Sequence, residues 1–105
     1  PRVSPIQGEV ARIRQAQADA ILHVEEDDRT GMYWITVRPR TLPEVATVLR
    51  DDRNCDYKML VDLFCVDKVL EEKRFNVYYN LYSVTRNKRL FLRVQVAEGE
   101  HVPSL

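Results

Sequence analysis

Two stretches in the second half of the chain place an apolar side chain at every second position, and this alternation constrains the fold more than any other feature. The apolar positions are Phe75, Val77, Tyr79, Leu81, Leu90, Leu92, Val94 and Val96. A short polar turn at 85–88 separates the two stretches. Because successive side chains of a strand point to opposite faces, the sequence predicts an antiparallel hairpin with one buried face.

Three further strands are predicted from composition. Residues 20–24 and 32–37 are rich in apolar, β-branched and aromatic types, and the acidic run 25–28 is assigned to the loop between them. Residues 58–66 are almost continuously apolar, interrupted by one aspartate, which is typical of a central strand covered on both faces. On that interpretation, Leu63→Ala opens a cavity and costs about 2–5 kcal/mol.

Two helices complete the pattern. Ser4 followed by Pro5 predicts the start of one helix, and Thr41 with Glu44 three residues later predicts a capping box at the start of another. Their apolar stripes are Ile6, Val10, Ile13 and Ala16 in the first, and Leu42, Val45, Val48 and Leu49 in the second. The order α-β-β-α-β-β-β predicts an α+β two-layer sandwich, a mixed sheet with helices on one face.

Length and charge exclude several classes of protein. The chain has 105 residues, which suits one domain over 1–105, and 16 Lys and Arg balance 16 Asp and Glu. Zero net charge argues against broad affinity for nucleic acid. No apolar run approaches the roughly 18 residues of a membrane span. Cys55 and Cys65 lack a CxxC spacing, so we expect reduced structural thiols, with Cys65 in the core.

Residues able to carry catalysis or to hold a metal are sparse. A nucleophilic Ser or Cys needs a nearby base, and His23 and His101, the two histidines, lie in no recognisable motif. The acidic run 25–28 lacks the alternate spacing of calcium loops, and the three glycines are too far apart to cradle a phosphate. The sequence therefore predicts no catalytic, cofactor-binding or metal-binding residue, with a small enzyme using either histidine as the alternative.

Basic and aromatic side chains cluster on the outward face of the predicted hairpin. They are Arg86, Lys88, Arg89 and Arg93 with Tyr78, Tyr82 and Phe91. This pattern fits a solvated sheet face, a sheet that binds single-stranded nucleic acid, or a protein-binding face. Tyr, Phe and Arg are enriched in the cores of protein interfaces, which favours the last.

The resulting hypothesis names specific partner contacts. We predict that Tyr78, Tyr82, Phe91 and Arg93 bind a protein, and that replacing Tyr78 and Phe91 by Ala weakens binding while the fold stays intact. An ion pair between Asp62 and Arg93 is the structural alternative for that arginine.

Short motifs follow one another in a specific order over residues 59–105. The segment LVDLFCVD at 60–67 precedes RFNVYYNLYS at 74–83, and LRV at 92–94 precedes VPSL at 102–105. This order resembles the family of 30 kDa-type subunits, designated C, of the proton-pumping NADH:quinone oxidoreductase, respiratory complex I. The first half of the sequence agrees with that family only in the order of its elements.

The resemblance implies a peripheral-arm subunit without a redox centre of its own. It would pack against the large subunit that helps form the quinone site and against iron–sulfur subunits, and Val102 and Pro103 would lead the chain onto its partner. NADH, quinone, FMN and iron–sulfur clusters would lie in those neighbours. The place implied is the cytoplasmic face of the bacterial inner membrane, without insertion into it.

Two further expectations come from the same resemblance. Similar domains occur in membrane-bound hydrogenase and formate hydrogenlyase complexes, so an equivalent subunit of such a complex is an alternative. The aromatic and basic face of the hairpin, rather than the resemblance, leaves a small single-strand nucleic-acid-binding module as another alternative. Members of the family continue beyond the VPS segment. We therefore expect residues 1–105 to be the N-terminal domain of a longer subunit whose C-terminal tail is absent.

Overall fold

A five-stranded mixed sheet with two helices on one face forms from residues 4–67 and 75–97, which this computed structural model describes. The elements are α1 (Gln7–Ala16), β1 (Ile21–Asp27), β2 (Met32–Val37), a 3₁₀ helix (Pro39–Thr41), α2 (Leu42–Asp51), β3 (Met59–Asp67), β4 (Phe75–Ser83) and β5 (Lys88–Val96). The strand order is β1-β2-β5-β4-β3, in which β2 and β5 are parallel and all other neighbours are antiparallel. The predicted α+β sandwich is confirmed.

The predicted hairpin consists of β4 and β5. Its strands pair antiparallel from Phe75 opposite Val96 to Ser83 opposite Lys88. Asn87 in the connecting turn has a φ of 50°, a left-handed conformation that Asn tolerates better than most residues. The alternating apolar positions are buried in the core or packed against it, as predicted.

The core lies between one face of the sheet and the two helices. Its largest fully buried apolar side chains are Ile6, Ile13, Ile35, Val37, Leu42, Val45, Leu49, Leu90, Leu92 and Val94. These side chains come from α1 and its N-cap, from α2, and from β2 and β5, so the two parallel strands supply the most deeply buried part of the sheet.

Helix α1 begins later than predicted. Ser4 lies in a turn, and the helix begins at Gln7 with Ile6 as its N-cap. The Ser4 hydroxyl accepts a hydrogen bond from the Ile6 N–H at 3.3 Å, so it caps the turn rather than the helix. Ile6 and Ile13 are buried as predicted, whereas Ala16, the last residue of the helix, is exposed.

Helix α2 forms as predicted, but without the capping box. Thr41 is its N-cap, and the preceding 3₁₀ helix holds that residue at φ −93° and ψ −5°, away from the extended conformation of a capping residue. The Thr41 hydroxyl donates to the carbonyl of Arg38 at 2.7 Å. The Glu44 carboxylate accepts a hydrogen bond from Gln17 Nε2 at 2.8 Å instead of reaching back to the cap.

Strand β1 continues through most of the acidic run that composition assigned to a loop. It runs from Ile21 to Asp27, and the turn is confined to 28–31. Glu25 pairs with Trp34 of β2, and its carboxylate accepts a hydrogen bond from Arg93, 68 residues away in the sequence. The composition of residues 25–28 alone could not predict a contact with a residue so far away in the sequence.

Strand β3 lies at the edge of the sheet, so the predicted central strand is wrong. It pairs with β4, while the central position belongs to β5, which pairs with both β4 and β2. All nine residues of β3 are exposed, including Leu63 at 54%. The expectation that Cys65 lies in the core is wrong for the same reason, because Cys65 is exposed, whereas Cys55 is buried.

A buried polar cluster joins α1 to the start of β5. Glu9 is 2% exposed, and its Oε2 accepts hydrogen bonds from the Tyr57 hydroxyl at 2.7 Å and from Lys88 Nζ at 2.8 Å. Burial and the hydrogen bond to Glu9 raise the pKa of Tyr57, so the phenol remains a donor. Burial also raises the pKa of the Cys55 thiol to about 11. No pattern in the sequence predicted this cluster.

Candidate protein-binding face

The face of the sheet opposite the helices, here called the open face, collects the aromatic and arginine side chains. Directly opposite residues on paired strands point to the same face, so the strand register assigns its members. Its members include His23, Glu25, Trp34, Thr36, Asp62, Phe64, Val66, Asn76, Tyr78, Asn80, Tyr82, Phe91 and Arg93. All five strands contribute to it.

Two pairs of stacked rings dominate the open face. The ring centroids of Trp34 and Phe91 are 5.9 Å apart with an interplanar angle of 21°, and those of Phe64 and Tyr78 are 4.9 Å apart at 13°. Both pairs fall within the distance range of favourable aromatic contacts. A depression of about 340 Å³ is lined by both pairs and by Arg93.

Arg93 is fixed in place by three strands. Its Nε donates to Thr36 Oγ1 at 2.8 Å and its Nη2 donates to Glu25 Oε1 at 2.6 Å. Burial lowers the pKa of Arg93, but its hydrogen bonds to Glu25 and Tyr78 outweigh that effect, so the pKa lies above the ordinary value. The hydrogen bond from Arg93 also holds the pKa of Glu25 below its usual range. The pair is therefore charged on both sides at neutral pH.

The alternative pairing of Asp62 with Arg93 is wrong. Asp62 lies on β3, and β4 separates that strand from β5. Its carboxylate accepts a hydrogen bond from the Leu63 N–H at 2.8 Å. Arg93 is thus free of β3 and is tied to the opposite side of the sheet.

The predicted basic cluster on the hairpin does not form one patch. Lys88 Nζ donates to the buried Glu9 carboxylate, and Arg93 donates to Glu25. Arg89 lies over the Tyr82 ring, 5.9 Å from its centroid. Carboxylates balance two of the four charges, which weakens the support for a nucleic-acid interface, since such interfaces use free cations to neutralise phosphates.

The structure brings together three of the predicted contact residues, Tyr78, Phe91 and Arg93. Tyr82 lies at the hairpin end of β4, where its hydroxyl donates to Asn87 Oδ1. Val102 and Pro103 lie outside the described residues. Sequence reasoning missed Trp34 and Phe64. If the two faces of 58–66 are treated as different, the alternation of side chains places Phe64 on the open face. A strand covered on both faces has no exposed face, so that interpretation does not single out Phe64.

Side chains that could bind a metal or act as a catalytic base do not cluster in the part of the protein that the structure describes. No group of three His, Cys, Asp or Glu side chains there could hold a metal ion. His23 is exposed, with its Nε2 3.4 Å from Glu25 Oε1, and His101 lies outside the described residues. Neither described helix is long and apolar enough to cross a membrane.

A family model described as "Respiratory-chain NADH dehydrogenase, 30 Kd subunit" matches residues 35–105, well over half of the chain. The chain belongs to this family. The match begins in β2 and includes Phe64, Tyr78, Phe91 and Arg93 of the open face. It confirms the resemblance found over residues 59–105 and extends it towards the first half of the sequence.

Individual relatives are named as the C-designated subunit of NADH-quinone oxidoreductase. The protein of Mesorhizobium japonicum is 40% identical over 81 residues, which are 77% of this chain and 40% of that protein. That of Wolbachia sp. subsp. Brugia malayi is 44% identical over 82 residues, 78% of this chain and 42% of that protein. That of Rhodospirillum rubrum is 35% identical over 104 residues, 99% of this chain and 48% of that protein. The chain spans less than half the length of these curated relatives.

Proposed function

We propose that the chain is a non-catalytic assembly subunit in the peripheral arm of a proton-pumping NADH:quinone oxidoreductase. It docks on the large subunit that helps form the quinone site and neighbours the iron–sulfur subunits. Membership of the 30 kDa subunit family and the shared name of the relatives support this role. In this proposal, NADH, FMN, quinone and iron–sulfur clusters belong to the neighbouring subunits, and the assembly faces the bacterial cytoplasm at the inner membrane.

The coverage of the relatives supports a second part of the proposal. Because the chain spans 40–48% of the three relatives compared above, we propose that residues 1–105 form the N-terminal domain of a longer subunit. A second contact with the large subunit would then come from the remainder of that protein. Comparing the affinity of residues 1–105 with that of the full-length subunit measures how the binding free energy divides between them.

The observation that carries the docking role is the open face itself. Phe64 and Tyr78 stack at its surface beside Arg93, and aromatic and arginine side chains are the types that most often anchor protein interfaces. The Arg93–Glu25 pair is already formed, so binding a partner requires little reordering of these side chains.

Two amide groups on the open face add a polar component to this support. The Oδ1 atoms of Asn76 and Asn80 are buried and accept no hydrogen bond in the described part of the protein. A buried acceptor left unsatisfied costs about 1–3 kcal/mol. A donor from a partner that reaches these amides would offset that cost.

Binding to the purified large subunit tests the proposal. Phe64→Ala and Tyr78→Ala should each weaken the affinity by about tenfold or more, measured by isothermal titration calorimetry, because each removes half of a stacked anchor. Leu22→Ala on β1 is the control, since Leu22 is exposed to a similar extent (47% against 41% for Phe64) but lies away from the open-face depression. Phe91 is a poor probe because it is buried against Trp34, so its replacement by Ala is expected to destabilise the fold as well as to change the face.

Each outcome has a separate meaning. Failure of the unmodified full-length subunit to bind the large subunit would refute the assembly role. Binding that survives both substitutions would move the interface away from the open face. Tighter binding to the large subunit of a membrane-bound hydrogenase would keep the docking mechanism but change the parent complex.

A further inference from the structure

We propose that β3 is a site for strand addition, at which an extended segment of the large partner subunit pairs with this edge of the described sheet. The inference rests on the proposed function, because it concerns how that partner binds. It adds a main-chain contact to the side-chain contact of the open face. In the assembly, the sheet would continue beyond β3 into the partner.

The edge itself indicates the class of occupant. β3 is nine residues long and has β4 as its neighbour on one side in the sheet order. In an edge strand, alternate N–H and C=O groups point away from the sheet and form a row of donors and acceptors. An extended strand presents the complementary row at the matching spacing, whereas a helix does not.

The two edges of the sheet differ in how they are protected. β1 carries Glu25, Glu26 and Asp27 in succession, and charge of this kind discourages pairing with another strand. β3 carries Asp62, next to a register shift that follows Leu60, and Asp67 at its end, so residues 59–66 hold a single charge. Of the two edges of the described sheet, β3 is therefore the one that its charges protect less against pairing.

Both faces of β3 are available as well. On the helix side, Leu60 borders a groove of about 310 Å³ beside α2, and on the other side Phe64 and Val66 border the open-face depression. An added strand would send alternate side chains towards these two sides. The fitting segment is thus apolar on both faces and carries a Lys or Arg beside Asp62.

A second copy of the protein fits this edge less well than a partner strand. Two copies related by a two-fold axis would pair β3 antiparallel to itself, with like faces aligned along the strand. The register shift between Leu60 and Asp62 breaks the alternation that such a symmetric ladder needs along the whole strand. A partner segment of different sequence is not bound by that symmetry.

Hydrogen–deuterium exchange of the full-length subunit, alone and with the large subunit, tests the inference. Strand addition should slow exchange of β3 amides by about tenfold or more, while β1 amides remain unchanged. Leu63→Lys should weaken binding by about tenfold, since it adds a charge to an interface core. Leu22→Lys is the matched control, because both leucines lie on edge strands and are 54% and 47% exposed.

Leu63 distinguishes the proposed strand addition from the side-chain contact of the open face. It pairs with Tyr79, so its side chain points to the helix side of the sheet rather than to the open face. A complex that forms while the β3 amides exchange as in the free protein would overturn strand addition and leave the proposed function standing. Slowing of β3 exchange as the protein concentration rises without the large subunit would assign the edge to a second copy and also overturn it. Loss of binding by the unmodified protein would remove both proposals.

Discussion

Replacing Leu63 and Leu92 by Ala, one at a time, measures the consequence of placing β3 at the edge of the sheet. Both leucines lie within nine-residue strands of the same sheet. Leu63 is 54% exposed, whereas Leu92 is fully buried. The comparison keeps the chemistry of the substitution constant and changes only the environment.

The expected costs follow from that difference in burial. Leu92→Ala removes buried methylenes and leaves a cavity, so the free energy of unfolding should fall by about 2–5 kcal/mol. At Leu63, roughly half of the side chain already contacts water, and water fills the space that the substitution leaves. The transfer contribution is then about 1 kcal/mol without a cavity contribution. The larger cost expected from the sequence for Leu63→Ala is therefore reassigned to Leu92→Ala.

Urea denaturation followed by far-UV circular dichroism gives both free energies directly. In thermal unfolding, 1 kcal/mol corresponds to about 4–8 °C in a domain of this size. Leu63→Ala should therefore shift the midpoint by no more than several degrees, and Leu92→Ala by at least twice as much. Equal losses in the two variants would refute the edge placement. Sedimentation of the unmodified protein as a monomer would exclude self-association as the cause.

The ion pairs and the thiols lead to three other expected outcomes. Lys88→Met leaves the buried Glu9 carboxylate without its cation and should cost about 3 kcal/mol, part of which the addition of Glu9→Gln should restore; no recovery would contradict the pair. A maleimide should label Cys65 in the native protein and Cys55 only after unfolding, as peptide mass spectrometry would show, and native labelling of Cys55 would contradict its burial. Because the hydrogen bond from Arg93 holds the pKa of Glu25 below its ordinary value, the ion pair should stabilise the fold above that ordinary value and lose its contribution as the pH falls through the folded-state pKa. Glu25→Gln should make the urea midpoint depend less steeply on pH over that acidic range. The same pH dependence in the variant and the unmodified protein would argue against the pair.

The elements that sequence reasoning predicted well are those whose signal is local. β2 begins and ends at the predicted residues, and the hairpin of β4 and β5 has the predicted inward face. In both cases, side chains that alternate along a strand report directly on a half-buried sheet. The stripe of α2 is likewise correct at Leu42, Val45 and Leu49.

The errors arise where a residue's environment is set by a distant partner. A continuous apolar run predicts that both faces of a strand are buried, but it does not say whether the same protein or a partner buries them. The prediction of a central position for β3 assumes the same protein. The carboxylate of Glu25 in β1 is paired with Arg93 of β5, and no local pattern contains that contact. For the candidate site, Tyr78, Phe91 and Arg93 were identified by their alternation, whereas Trp34 joins them only through the strand order.

The parallel pairing of β2 with β5 joins two parts that are each local in sequence, β1 with β2 and the β3–β5 meander. This parallel pairing, here called the seam, places Thr36 beside Arg93, which lies 57 residues further along the sequence. Contacts between residues so far apart form slowly, because a long loop must close first. The single tryptophan, Trp34, stacks on Phe91 across the seam. Its fluorescence should therefore report the joining of the two parts during refolding. If the chain is divided in the loop at 52–58, mixing the two resulting peptides should restore the tryptophan fluorescence of the intact protein.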